Sequence, residues 1–294
     1  NSYQTLSKYY IGYIKYEQKK YKEAVNRFLA IQTDKKFGKI VPVYITQFYL
    51  MDGNHEKAIQ YGEKGLSIKG VEKEDEIRKL LAEAYFAKKD YQKVVETLQE
   101  FVDEGYGFSQ SQSYKLGISY LETGDCENAL VQLRRVEIEE DSLGQNTAFH
   151  LGECYLKTKD KERARASYKF ASDLDFYPRL KEKALFKFAQ LSYDLNNPGV
   201  AINSLQDYIE ISSNEAEKLQ AQELLSKILL SSNNFQASIS ILEGMSTKSL
   251  EVKKALQELY YKQGKKEYGD KNYAAARDLF IKSLKTENEP KIEA

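Results

Sequence analysis

One position recurs eight times along this chain of 294 residues, as Ala24, Ala58, Val94, Ala129, Ala164, Ala201, Ser238 and Ala276. The steps between copies are 34, 36, 35, 35, 37, 37 and 38 residues. Twelve residues before each copy stands a second small residue: Gly12, Thr46, Ala82, Gly117, Gly152, Ala189, Ser226 and Gly264. Four before it, seven of the eight copies carry an amide or acid, namely Asn54, Asp90, Asp125, Asp160, Asn197, Asn234 and Asn272, with Lys20 in the first. Three registers held in phase at this period mark an array of stacked helical units. In such an array the question of function becomes one of surfaces and partners.

The chemistry of one unit accounts for the registers. From Leu116 to Tyr120, and from Leu151 to Tyr155, apolar residues recur at helical spacing around a glycine, which describes a short amphipathic helix with one thin point. A turn follows, Glu122 to Asp125 in one unit and Lys157 to Asp160 in the next. A second helix then begins, and the Asp or Asn ahead of it can accept from its unpaired N–H groups, worth ~1 kcal/mol per cap. The small residue and the alanine let the two backbones approach closely. Larger residues stand four after the alanine position: Phe28, Leu98, Leu133, Tyr168, Leu205, Leu242 and Phe280. Each pair keeps apolar surface that only its neighbour can cover, so the expected fold is all-α and quasi-one-dimensional.

Leu116-Gly117-x-x-Tyr120 with Ala129, and Leu151-Gly152-x-x-Tyr155 with Ala164, Tyr168 and Ala171, resemble the tetratricopeptide repeat (TPR). Gly264, Tyr273, Ala276 and Phe280 extend the likeness to the last unit. The resemblance implies a right-handed α-solenoid, a superhelix of about eight helix-turn-helix units spanning approximately 5–38, 39–72, 75–108, 110–143, 145–180, 182–216, 219–250 and 252–290. Units two and seven depart most from the pattern, with Gly62 and Gly65 in the one and Ser226 and Ser238 in the other. A narrower similarity, carried by Asp141 to Gly152 and by Ala171 to Phe176 running into Lys181 to Leu195, is to the long TPR proteins of Bacteroidota-type bacteria. It implies a place in the bacterial periplasm or cell envelope, with the cytoplasm as the alternative.

Composition narrows the classes of function. A uniform repeat over residues 1–294 points to one elongated array rather than two globular domains. The four prolines, at 42, 178, 198 and 290, all fall at expected unit boundaries or turns. No apolar run approaches the ~18 residues of a membrane span, so no direct membrane insertion is expected. The chain opens on Asn1 and ends in Pro290 to Ala294, which reads as the start of a ninth unit, so a fragment of a longer array is expected. Forty-four basic residues balance 44 acidic ones. That balance and the Gly-x-x-Tyr pattern weigh against an RNA-binding helical repeat of the pentatricopeptide kind, because phosphate neutralisation needs a basic stripe.

Sites for chemistry are few. His150 and Cys154 share a helical face, but a structural zinc needs four ligands and only Cys126 and the distant His55 remain. Gly105-Tyr106-Gly107 lacks the Lys-Ser/Thr of a phosphate loop, and with two histidines in all a His-dependent active site has few places to be. No catalytic residue, metal or cofactor is expected.

What remains is a surface. In TPR proteins the first helices line a concave face, and residues near the Gly-x-x-Tyr core look into it. Three before the small position this chain has Tyr9, Val43, Lys79, Tyr114, Phe149, Phe186, Glu223 and Tyr261. One after it come Tyr13, Gln47, Glu83, Ile118, Glu153, Gln190, Lys227 and Lys265. The expected partner-binding groove therefore comprises Tyr9, Tyr13, Gln47, Lys79, Glu83, Tyr114, Phe149, His150, Glu153, Phe186, Gln190, Tyr193, Lys227, Tyr261 and Lys265. Aromatic rungs separated by amides and carboxylates suit a protein or peptide partner. The Lys and Asn clamp by which some TPR proteins hold a terminal carboxylate does not carry over. Two other readings stay open: a structural or self-associating spacer that stacks through its array ends, and a cell-wall glycan binder using the same rings.

Overall fold

The computed structural model describes residues 2–103 and 107–285, and no strand occurs among them. Contacts divide the chain into two units, residues 1–137 and 138–294. In the first, α1 (Ser2–Glu17) pairs with α2 (Tyr21–Leu29) and α3 (Pro42–Met51) with α4 (His55–Leu66). There follow α5 (Glu74–Ala87) with α6 (Tyr91–Asp103), and α7 (Gln110–Glu122) with α8 (Cys126–Leu133). A 3-10 turn over Phe37–Lys39 leads from α2 toward α3. In the second unit α9 (Ser142–Lys157) pairs with α10 (Lys161–Asp173) and α11 (Pro178–Asp194) with α12 (Pro198–Ile211). Then come α13 (Glu215–Leu230) with α14 (Phe235–Glu243), and α15 (Leu250–Gly269) with α16 (Tyr273–Lys285). Pro42, Pro178 and Pro198 each stand in the first turn of a helix, where the missing N–H has no partner to lose. Pro290 to Ala294 and Gly105-Tyr106 lie outside the described residues.

The seam of each pair is one side chain seated on one gap. Every alanine-position residue is buried to 1% or less. A methyl group on Gly12, Gly152 or Gly264 would stand 2.9, 2.8 or 2.9 Å from the ring of Phe28, Tyr168 or Phe280, and one on Gly117 2.7 Å from Leu133. Volumes compensate across this seam. Where the first helix offers Ala82, Ala189 or Ser226, the second offers a buried leucine, Leu98, Leu205 or Leu242. Where it offers the bulkier Thr46, the second has Gly62. That glycine and Gly65 then receive neighbours: an added methyl would meet Leu81 of α5 or Pro42 of α3, each at 2.7 Å. The apparent irregularity of the second pair is thus a redistribution of volume.

The turn chemistry is partly as expected. Asn54, Asp90, Asp125, Asp160 and Asn234 each accept from the backbone N–H three residues on, at 3.1, 3.3, 3.0, 3.1 and 3.2 Å. Asn197 does not cap; its amide donates to the Leu195 carbonyl at 2.9 Å. The residue ahead of the Asx position adopts the left-handed region in seven pairs, as Lys19, Gly53, Lys89, Gly124, Lys159, Asn196 and Lys271, with φ from 60° to 90°. Gly53 and Gly124 take that conformation without cost, whereas the four lysines carry a penalty of ~1 kcal/mol or more each.

Two buried glutamines close the linkers. The Gln145 amide donates to the carbonyls of Ala171 and Leu174 at 3.1 and 2.7 Å and accepts from Tyr177 N at 2.8 Å, so α9 holds the α10–α11 link. Gln222 does the same for the α14–α15 link, donating to Thr247 O and accepting from Ser249 N, both at 3.1 Å. Between pairs, the tyrosine of Gly-x-x-Tyr and its equivalent reach back to the preceding second helix. Tyr85 donates to Glu63 at 2.5 Å and Tyr120 to Gln99 at 3.1 Å.

Two expectations follow. Gly152→Ala gains ~1 kcal/mol of helix propensity and loses about 1–3 kcal/mol to overpacking against Tyr168, so urea unfolding should show net destabilisation. In a Tyr168→Leu background, which recreates the Ala–Leu seam of other pairs, the same change should become neutral or stabilising; equal effects in both backgrounds would refute the seam. Lys159→Gly, at φ 66°, should raise stability by about 0.5–1 kcal/mol, and a loss of stability would show that the left-handed turn is not strained by its side chain.

Candidate functional site

The first helices carry the expected row of side chains, and packing has divided it. In the first unit Tyr9 is half-buried, stacks on Phe37 at 4.8 Å and leans on Phe28 at 6.2 Å. Tyr13, 37% exposed, stacks on Tyr9 at 6.4 Å and sets its edge against Tyr44 at 6.0 Å. Tyr16 meets Tyr44 edge-on at 5.2 Å and donates its hydroxyl to Gln47 Oε1 at 2.5 Å. The Lys73 ammonium stands over the Tyr44 ring at 5.8 Å. Burial first, and then the neighbouring Tyr9 and Tyr13 hydroxyls, hold the Tyr44 phenol neutral well above its ordinary range. Four tyrosines and an amide thus form one platform across α1 and α3. Tyr16 and Tyr44 are absent from the expected groove residues. Tyr44 stands two before the small position, so its register alone could have drawn attention to it.

Further along that unit, Glu83 pairs with Lys115 at 3.2 Å, bridging α5 and α7. Lys79 extends over the Phe101 ring at 5.6 Å, and Tyr114 is half-buried.

In the second unit Phe149 is 8% exposed and sets its edge against Tyr168 at 5.6 Å, so its ring belongs to the seam rather than to open surface. Phe186, half-buried, stacks on Tyr208 at 5.0 Å. His150 Nδ1 lies 3.1 Å from Glu153 Oε2. Gln190 and Tyr193 are half-buried, and Lys227 is exposed. Tyr261 is 51% exposed, leans on Phe280 at 6.0 Å and carries the Lys265 ammonium over its ring at 5.8 Å. Val43 and Ile118, which share the two registers, are buried. The rings nearest the seam repeat one relation: Tyr9 with Phe28, Phe149 with Tyr168 and Tyr261 with Phe280.

No group of three or more His, Cys, Asp or Glu side chains gathers in metal-binding geometry among the described residues. Cys126, the first residue of α8, and Cys154 on α9 are both buried. A cleft of about 580 Å³ in the second unit, lined by Gln206, Ile209, Glu210, Leu225, Ile241 and Met245, opens chiefly along α12 and α14 and away from the first-helix row. Glu210 is the one ionisable side chain among the residues that line it, beside the hydroxyls of Ser240 and Ser246. No helix among the described residues is long and apolar enough to cross a membrane.

Residues 114–172 match the tetratricopeptide repeat family model. No curated protein matches the chain. Among solved structures, the chain is similar to YrrB, described as a TPR protein with an unusual peptide-binding site: 17% identity and a TM-score of 0.55, over 67% of this chain and 97% of that one. It is also similar to the C-terminal part of a TPR repeat-containing protein from Cytophaga hutchinsonii, at 13% identity and a TM-score of 0.49, covering 92% of this chain and 98% of that one. A tetratricopeptide repeat protein from Parabacteroides merdae has 13% identity and a TM-score of 0.46, with 95% and 98% covered. Residues 114–172 thus match the tetratricopeptide repeat, and the helix pairs of the chain have the fold of a TPR α-solenoid.

Tyr208, on which Phe186 stacks, is fully buried and donates to Glu217 at 2.8 Å. Burial, reinforced by Glu217, pushes its phenol up to about 12. A raised phenol favours the folded state while the group stays neutral in both states, that is, below its ordinary ionisation near 10. The contribution should therefore fall as pH rises from about 10 to about 12. Urea midpoints measured across that window should decline less steeply in Tyr208→Phe; an unchanged slope would mean the buried hydroxyl is not linked to folding.

Proposed function

We propose that the chain is a non-catalytic scaffold that binds a peptide segment of a protein partner on its first-helix face, with the tyrosine platform of the first unit as the principal contact. The observation that carries this reading is the convergence of Tyr9, Tyr13, Tyr16 and Tyr44 with Gln47 and Lys73. Rings already held by one another present contact area with little rotamer entropy left to lose. Phenol hydroxyls and an amide beside them can bond to a peptide backbone without selecting one side-chain sequence. The peptide-binding description of YrrB, a protein of the same fold, agrees with the reading. In the second unit the exposed Lys227, Tyr261 and Lys265 offer a separate, cationic first-helix surface, suited to acidic side chains of a partner. A bacterial envelope location, implied by the resemblance in sequence, belongs to the same proposal.

The burial of Phe149 decides which substitutions test the idea. Phe149→Ala would open the seam and confuse stability with binding. Tyr13→Ala combined with Gln47→Ala removes the exposed edge of the platform instead. The probe is a displayed library of random peptides panned against the intact chain. Enriched peptides should bind the double variant about tenfold more weakly or worse, a loss of ~1.4 kcal/mol, while its melting curve stays within a few degrees of the parent. Peptides that bind parent and variant alike would overturn the platform. Failure to enrich any peptide, with retention on an immobilised cell-wall glycan, would move the function to carbohydrate.

A further inference from the structure

Two clefts open between successive second helices of the second unit. The one of about 580 Å³ lies between α12 and α14, over the buried Leu225 of α13. Another, of about 510 Å³, lies between α10 and α12, over Leu185 and the buried Phe188 of α11. Leu185 in the one and Ile209, Ile241 and Met245 in the other rest on a common core, which fixes the apolar surface the clefts present. Glu210 lines both, so α12 is the ridge between them.

Charge on this ridge is unbalanced. Lys169 pairs with Asp173 at 2.7 Å and Lys181 with Asp175 at 2.5 Å, so the lysines lining the α10–α12 cleft are already neutralised. The carboxylates of Asp207 and Glu210 have no ion pair or hydrogen bond among the described residues. The sequence explains the difference. Four before Asp173 in α10 stands Lys169, whereas four before Glu210 stands Gln206, and neither α12 nor α14 contains Lys, Arg or His. Three apart on one helix, Asp207 and Glu210 share a face and repel each other.

We infer that this ridge binds an arginine-bearing segment of a partner protein, laid extended across α12 with one apolar side chain in each cleft. The surface is separate from the first-helix platform and stands or falls without it. An extended chain turns alternate side chains to one face, and residues i, i+2 and i+4 span about 13 Å, close to the width of one helix. The matching pattern is apolar-x-Arg-x-apolar. A guanidinium suits the ridge better than an ammonium, because its planar fork of donors can serve two carboxylates at once.

The test follows the methyl resonances of Ile211 in one cleft and Ile241 in the other while the intact chain is titrated with a synthetic peptide pool. Each peptide carries a central arginine with leucine or phenylalanine two residues to either side; a pool with glutamate for the arginine is the control. The arginine pool should give saturable shifts at both methyls and the glutamate pool none. Asp207→Asn with Glu210→Gln should weaken binding about tenfold or more. Because it removes a repulsion, that double variant should melt at or above the parent. Gly244 tests the apolar part: it lines the α12–α14 cleft with φ −70°, and a Cβ there would meet only the Ser240 and Ile241 carbonyl oxygens, at 3.4 and 3.6 Å. Gly244→Phe should therefore occupy the cleft in a folded chain and weaken binding about tenfold. Equal shifts from the two pools, no saturable shift, or unchanged binding in either variant overturns the inference. So does loss of binding in Tyr13→Ala with Gln47→Ala, since the peptides would then sit on the platform.

Discussion

A glycine on one helix and a large side chain four residues past the alanine on its partner are the contact on which everything else rests. With Gly12, Gly152 and Gly264 the ring of Phe28, Tyr168 or Phe280 occupies the space a side chain would have taken. The fit is one of volume and not of chemistry. Alanine with leucine serves equally, and threonine with glycine inverts the arrangement by calling on Leu81 of the next pair. Close packing leaves no slack for a methylene at such a point, so a change on one side demands an answer on the other. Each pair thereby closes its own seam although the residues on the two sides change from pair to pair.

That contact also decides which part of the aromatic row is available to a partner. Phe149 and Tyr9 are drawn toward the ring or side chain seated below them, and Phe186 toward Tyr208. Tyr13 and Tyr261 remain open. A row legible as one series of positions therefore has two uses, reinforcement of the seam and exposed contact. Burial separates them, and register does not.

The limits of reading the chain directly have physical causes. Period, small positions, alanines and most caps were legible because each rests on residue types with few alternative reasons to recur. The left-handed lysines were not. Lysine carries no backbone signature, and at Lys19, Lys89, Lys159 and Lys271 the turn imposes the conformation against local preference. Gln145 and Gln222 were equally opaque, since glutamine is ordinarily a surface residue and only the linker carbonyls and amides beside them account for their burial. The platform was half legible. Tyr9, Tyr13 and Gln47 followed from register, whereas Tyr16 and Tyr44 enter through α1–α3 packing, which no single helix encodes.

The back-reaching tyrosines have a mechanical consequence. Tyr85 to Glu63 and Tyr120 to Gln99 each tie a pair to the one before it, and such bonds lie in series along the first unit. A solenoid pulled along its stacking direction carries the same load through every interface in series, because each touches only its neighbours. The weakest joint between pairs therefore sets the force that such a stack withstands.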